Sequence, residues 1–116
     1  MLQKFDERNR NLIVNINGDL LHRDKAGISP FDSAVQGGDA VWEGLRLYNG
    51  RIFKLHEHLD RLERSARALS FEEIPPREKI IDEIKDFRLL HETQILERRV
   101  FSLFNVGTDH FARVAN

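Results

Sequence analysis

Short apolar runs separated by turn residues predict two β-hairpins in the first half of the chain. Asn17-Gly18 lies between two such runs, and Asn-Gly readily takes the positive φ angles of a type I′ turn. Asn49-Gly50 follows a stretch in which apolar and polar positions alternate, which is the period of a half-buried strand. Residues 24–40, rich in glycine and aspartate, predict the loop that joins the two hairpins.

The hydrophobic period then changes from two residues to the spacing of a helix. Apolar residues recur on one face in two stretches, which predict helices near 55–69 and 76–90. Pro75-Pro76 separates them, because proline cannot continue a helix but suits the first turn of the next one. A short apolar run at 100–104 predicts a further strand. This order of elements predicts an α+β fold, a mainly antiparallel sheet with two helices on one face.

Length and composition restrict the class of protein. A chain of 116 residues with 41% hydrophobic and 32% charged residues predicts one globular domain. The net charge of −1 offers no uniform cationic field for nucleic acid, and the lack of cysteine excludes disulfides and thiolate chemistry. No apolar stretch is long enough for a membrane span. We therefore expect a cytoplasmic protein without nucleic-acid or membrane partners.

Several common site types are not predicted. His56 and His58 flank Glu57, but residues two apart on a helix point about 200° away from each other and cannot chelate one ion, so we expect no metal site. The chain also has no phosphate-binding P-loop, dinucleotide-binding glycine motif or serine nucleophile elbow.

Two segments carry the candidate chemistry. In the first, a glycine pair precedes Trp42, and Gly44 beside a strand indicates a bulge or a close approach by another group. Composition alone favours a hairpin loop with Trp42 in the core. In the second, Arg61 lies at the edge of the apolar stripe of the first predicted helix. Two interpretations of it stay open: an exposed ion pair with Glu57, four residues earlier, or a planar fork offered to a phosphate at a pocket edge.

Together these segments resemble the small, N-terminal domain of the class IV (fold type IV) pyridoxal-phosphate aminotransferases, and most of all the branched-chain amino-acid aminotransferases. The resemblance covers roughly residues 12–90 and rests on WEGLR, then FKLHEHLDRL, then SA. It implies the small domain of the D-amino-acid aminotransferase-like fold. The expected layout is a flexible N-terminus at 1–10, the small domain at 11–104 and a divergent tail at 105–116, without the large catalytic domain.

The resemblance also implies roles for individual residues. Arg61 matches the arginine that binds the phosphate of pyridoxal 5′-phosphate, while Trp42, Gly44, Arg46 and Arg99 match the substrate side of the pocket. The lysine that holds the cofactor belongs to the large domain in these enzymes, so no catalytic residue is assigned here. We expect the chain to be inactive alone, although the intact enzyme would transfer an amino group between an amino acid and a 2-oxo acid.

Two alternatives use the same resemblance differently. The chain could be a non-catalytic dimerisation or interaction module derived from this family, or a fragment of a class IV lyase of the aminodeoxychorismate type. Family enzymes are homodimers, so the expected partners are a second copy of the chain or a large aminotransferase domain. We also expect an exposed apolar patch formed by Val41, Trp42 and the 100–104 run.

Overall fold

The structure, a computed structural model, describes residues 5–91, 100–106 and 110–115, with side chains over residues 5–85. Its strands form one six-stranded antiparallel sheet in the order β2-β1-β6-β5-β3-β4. The strands are β1 (Ile13–Ile16), β2 (Asp19–His22), β3 (Ala40–Tyr48), β4 (Arg51–Ile52), β5 (Val100–Val106) and β6 (His110–Ala115).

Both predicted hairpins are confirmed. β1 pairs with β2 across Asn17-Gly18, whose φ angles are 54° and 91°. β3 pairs with β4 across Asn49-Gly50, whose φ angles are 47° and 75°. Positive φ at both central residues is the requirement of a type I′ turn, whose twist matches that of the flanking strands.

Gly50→Ala is expected to lower the free energy of unfolding by about 1 kcal/mol, because an L side chain is strained in the left-handed region. Gly27→Ala is the matched control. A Cβ at either glycine would have open space around it, but only Gly50 has a positive φ, of 75°. Urea denaturation of both variants measures the difference. Equal stabilities would show that the φ angle of Gly50 does not limit the turn.

Three helices accompany the sheet: α1 (Ser33–Gln36), α2 (Leu55–Ala68) and α3 (Arg77–His91). The two long helices confirm the predicted segments to within a residue or so at each end. Short 3₁₀ turns lie at Glu7–Asn9 and Arg23–Lys25.

The C-terminus of α2 is closed by a Schellman motif. Ser70 has a φ of 58°, and its N–H donates to the carbonyl of Arg67 at 2.9 Å. The N–H of Phe71 donates to the carbonyl of Ala66 at 3.1 Å. These two bonds satisfy carbonyl groups that the helix itself leaves without partners, so α2 ends here and the chain can turn towards α3.

The core lies between β3 and the two long helices. Leu45 of β3 is fully buried, and the cluster around it contains residues of all three elements: Val41, Leu47, Leu59, Leu62, Ala66, Ile80 and Ile84. Arg77 of α3 forms ion pairs with Asp60 and Glu63 of α2, the latter at 3.5 Å, and so joins the two helices at their surface. This packing confirms the α+β fold with two helices on one face of the sheet.

The structure contains one strand that the hydrophobic pattern did not predict. β6 pairs with both β1 and β5, and thereby joins the two hairpins into a single sheet. Among the described residues, no helix is long and apolar enough to cross a membrane.

Candidate functional site

The two segments that carry the candidate chemistry meet at one buried carboxylate. Glu43 of β3 is only 3% exposed. Its Oε1 accepts a hydrogen bond from Nε of Arg61 at 2.6 Å, and its Oε2 accepts one from Nη2 of the same guanidinium at 2.7 Å. Nδ1 of His58 lies 2.7 Å from Oε2. We call Glu43, His58 and Arg61 the Glu43 cluster.

The periodicities of β3 and α2 bring the Glu43 cluster together. Successive side chains of β3 point to opposite faces of the sheet, so Glu43 lies in the same buried row as Val41 and Leu45, facing α2. His58 and Arg61 are three residues apart on α2 and therefore share one face of the helix. Both side chains consequently reach the same carboxylate.

The cluster keeps the carboxylate charged. Burial raises the pKa of Glu43, but hydrogen bonds and charge from Arg61 and His58 lower it by more, so the pKa lies below its ordinary value. The hydrogen bond to Glu43 likewise raises the pKa of Arg61. The pair is therefore ionised at neutral pH, with the anion buried and the cation at the surface.

The same geometry fixes which nitrogen of His58 carries a proton. An ionised carboxylate only accepts hydrogen bonds, so Nδ1 of His58 is the donor to Glu43. Nη2 of Arg61 lies 3.5 Å from that nitrogen, and the two donors converge on the same oxygen, Oε2. Oε1 accepts from Nε of Arg61, so each carboxylate oxygen has at least one charge-assisted partner.

An open, mainly cationic depression adjoins the cluster. Its lining residues are Lys54, Glu57, His58, Arg61 and Arg64, and we call it the cationic depression. Lys54, Arg61 and Arg64 outnumber the carboxylates of Glu57 and the adjoining Glu43, a balance that attracts anions. The Arg61 side chain is 60% exposed, and within the described part of the chain its bonds to Glu43 use Nε and Nη2 but not Nη1. One edge of the guanidinium thus remains available to an anion.

Of the two interpretations of Arg61, the exposed ion pair with Glu57 is wrong. Both side chains are described and both line the cationic depression, but the guanidinium binds the buried Glu43 instead. The i,i+4 spacing on one helix was a weaker determinant than a buried carboxylate on the neighbouring strand, because charge-assisted bonds strengthen away from water.

Trp42, Gly44 and Arg46 share the face of β3 that points away from α2. The prediction of Trp42 in the core is wrong: it lies on a strand rather than in a loop, and is 63% exposed. In the register of the sheet these three residues lie opposite Phe104, Ser102 and Val100 of β5. The structure therefore groups the three substrate-side candidates together and places Arg61 on the opposite side of the strand.

Other predictions for the site have mixed outcomes. Val41 is buried against the helices at 7% exposure, so its expected contribution to an exposed patch is wrong. The side chains of 100–104, also expected there, lie outside the described ones. Arg99, assigned to the substrate side, falls outside the described residues altogether.

Sequence reasoning missed Glu43 and His58 as site residues. The signal for Glu43 was present: in the alternating stretch at 41–47 it occupies an apolar position, where a charged side chain requires a partner. The partner could not be identified from spacing, since Arg61 lies 18 residues further along the chain.

The chain is similar in sequence to known aminotransferases. Residues 40–96 match the profile of the family described as amino-transferase class IV. The chain is 54% identical over 82 residues to branched-chain-amino-acid aminotransferase-like protein 1 of Arabidopsis thaliana, an alignment covering 71% of this chain and 14% of that protein.

Solved structures show the same fold. The branched-chain amino acid aminotransferase from Escherichia coli has a TM-score of 0.68 at 20% identity, over 90% of this chain and 40% of that one. A hypothetical aminotransferase from Mycobacterium tuberculosis, in its PLP-bound form, has a TM-score of 0.71 at 26% identity, over 90% of this chain and 39% of that one.

The chain therefore belongs to the class IV aminotransferase family. Within the family it is similar to proteins of the branched-chain type, as the resemblance of its WEGLR segment predicted. It spans 14% of the length of the Arabidopsis relatives and about 40% of the solved enzymes, so it corresponds to a fragment of their length.

Proposed function

We propose that this chain supplies the small-domain part of a pyridoxal-phosphate aminotransferase of the branched-chain type, and that Arg61 binds the phosphate of the cofactor. The observation that carries the proposal is the placement of the Arg61 guanidinium. One edge is bound to buried Glu43, and the side chain is 60% exposed beside the cationic depression. A planar cation held in this way suits a phosphate, which takes two parallel N–H donors.

The residues present fit the phosphate end of the cofactor. Lys54 and Arg64 line the same depression and add cationic charge to that of Arg61, which favours a dianion over a neutral group. All five lining residues carry a polar or charged group, which suits a phosphate better than the pyridine ring. On this proposal the chain contributes phosphate binding, while the family resemblance assigns the ring contacts and the cofactor-holding lysine to a large aminotransferase domain.

When bound, the cofactor supplies the electron sink for amino-group transfer between an amino acid and a 2-oxo acid. Trp42, Gly44 and Arg46 are retained as substrate-side candidates on the resemblance; they share the outward face of β3, opposite to Arg61. Arg99 is retained as a fourth substrate-side candidate on the resemblance alone. The 116 residues by themselves would bind the cofactor weakly and would not catalyse transfer.

The outward face of β3 supports association with another domain or a second copy. Trp42 and Tyr48 are 63% and 44% exposed there, which is a large aromatic surface for a strand. Aromatic residues of this kind are enriched at interfaces, where they bury much area at low entropy cost. We propose the large aminotransferase domain as the occupant in the intact enzyme.

Arg61→Ala is expected to remove most of the phosphate contribution to cofactor binding. The probe pair is pyridoxamine 5′-phosphate and pyridoxamine, which lack the aldehyde that would react with surface lysines. Calorimetry or NMR should show that the phosphate strengthens binding to the natural chain about tenfold, the usual size for a charge-assisted contact. In Arg61→Ala the two affinities should become nearly equal.

Arg67→Ala is the matched control, because Arg67 lies on the same helix, binds Glu63 and does not line the cationic depression. This variant should keep the full preference for the phosphorylated ligand. An unchanged preference in Arg61→Ala would contradict the assigned role of Arg61.

A further inference from the structure

Glu43 is unusual among the residues that face the helices. Its neighbours in the buried row of β3 are Val41, Leu45 and Leu47, yet a carboxylate occupies this position at 3% exposure. Placing a charge there is costly unless its partners are held in good geometry. We therefore expect Glu43 to have a role that an apolar residue at this position could not perform.

The contacts of Glu43 restrict the motion of one particular side chain. An arginine that is 60% exposed ordinarily samples many rotamers, since its stem has four rotatable bonds. Here the fork of Nε and Nη2 is bonded to both oxygens of a buried carboxylate on β3, at 2.6 and 2.7 Å. His58 holds the carboxylate in turn through Oε2. The guanidinium plane is thus held by a carboxylate that is itself buried and hydrogen-bonded.

We infer that Glu43 is a positioning residue, which orients Arg61 so that its remaining edge presents to a phosphate in the cationic depression. The inference rests on the proposed function, in which Arg61 binds the cofactor phosphate. Glu43 itself does not touch the anion, since it is buried behind the guanidinium. Its effect is exerted entirely through the geometry of Arg61.

Orientation and charge make opposite predictions for Glu43, which makes the inference testable. If Glu43 acts on the anion only through its charge, removing that negative charge strengthens anion binding. Removing the anchor of the guanidinium weakens binding if positioning matters, because the side chain must then be ordered by the phosphate itself. Glu43→Gln removes the charge at nearly constant shape and places an amide N–H₂ against the donors of Arg61.

Glu57→Gln is the matched control. Glu57 also lines the cationic depression, and the same substitution removes the same charge, but Arg61 is bound to Glu43 and not to Glu57. The probe is inorganic phosphate titrated into the 116-residue chain at constant ionic strength, followed through the side-chain Nε–H resonance of Arg61 by NMR. We expect Glu43→Gln to weaken phosphate binding about threefold or more and Glu57→Gln to strengthen it by up to about twofold.

Each outcome of the titration has a definite meaning. If Glu43→Gln strengthens phosphate binding as Glu57→Gln does, or leaves it unchanged, Glu43 acts only as a charge and the inference is overturned. If Arg61→Ala leaves phosphate affinity unchanged, the proposed function fails, whatever Glu43 does. If Arg61→Ala weakens binding and Glu43→Gln weakens it as well, while Glu57→Gln does not, positioning is supported.

A measurement on the natural chain keeps the inference falsifiable if Glu43→Gln fails to fold. Arg61 and Arg64 line the same cationic depression, but only Arg61 is bound to Glu43. The Nε–H of Arg61 should exchange slowly with water and show a high order parameter, and that of Arg64 should not. Equal exchange and equal order for the two arginines would refute the positioning role directly.

Discussion

Leu45→Ala is expected to lower the free energy of unfolding by about 2–5 kcal/mol, the range for large-to-small changes at fully buried aliphatic sites. Leu45 is at 0% exposure in β3, at the centre of the core that β3 forms with α2 and α3. The loss combines the transfer energy of the deleted methyl groups with the cavity they leave. For a domain whose total stability is about 5–15 kcal/mol, this is a large fraction, and chemical denaturation measures it directly.

Leu69→Ala is the matched control, because it makes the same substitution at an exposed leucine. Leu69 is the C-cap residue that follows α2, and it is 46% exposed. The same deletion there should cost at most about 1 kcal/mol, because most of the removed surface was already in contact with water. Similar losses for the two variants would contradict a core centred on β3.

The local elements could be predicted because their signals are local. The two Asn-Gly turns specify their hairpins through backbone conformation, and Pro75-Pro76 divides the helical segments wherever the rest of the chain lies. Sheet order is a different matter. β6 pairs with β1, which lies near the other end of the sequence. Nothing in the sequence of residues 110–115 identifies β1 as the partner strand.

In the candidate site, too, the local features could be predicted from the sequence and the long-range contact could not. Helical periodicity placed Arg61 at the edge of the apolar stripe, but spacing alone offered Glu57 as its partner. The actual partner, Glu43, lies on a strand, and only packing of α2 against β3 brings the two together. The family resemblance singled out Arg61 without indicating what holds it, so the positioning of its guanidinium emerged only from the structure.

Adding a large aminotransferase domain in trans is expected to produce the largest functional change. The domain would come from a branched-chain aminotransferase such as the Escherichia coli enzyme, of whose length this chain covers 40%. The added domain would bring contacts to the pyridine ring, so a preorganised site replaces a single phosphate contact. We expect the affinity for pyridoxamine 5′-phosphate to rise about a hundredfold or more above that of either part alone, as measured by calorimetry.

Two substitutions then separate docking from cofactor binding. Trp42→Asp changes the exposed outward face of β3, so it should prevent assembly in sedimentation experiments and abolish the gain in affinity. Arg61→Ala should leave assembly intact and reduce the affinity of the assembled pair about tenfold or more, because the phosphate loses its oriented donor. The donor enzyme's own small domain serves as the positive control for docking. If the pair assembles and Arg61→Ala binds the cofactor as tightly as the natural chain, Arg61 is held by Glu43 for structural reasons alone and the cofactor phosphate is bound elsewhere.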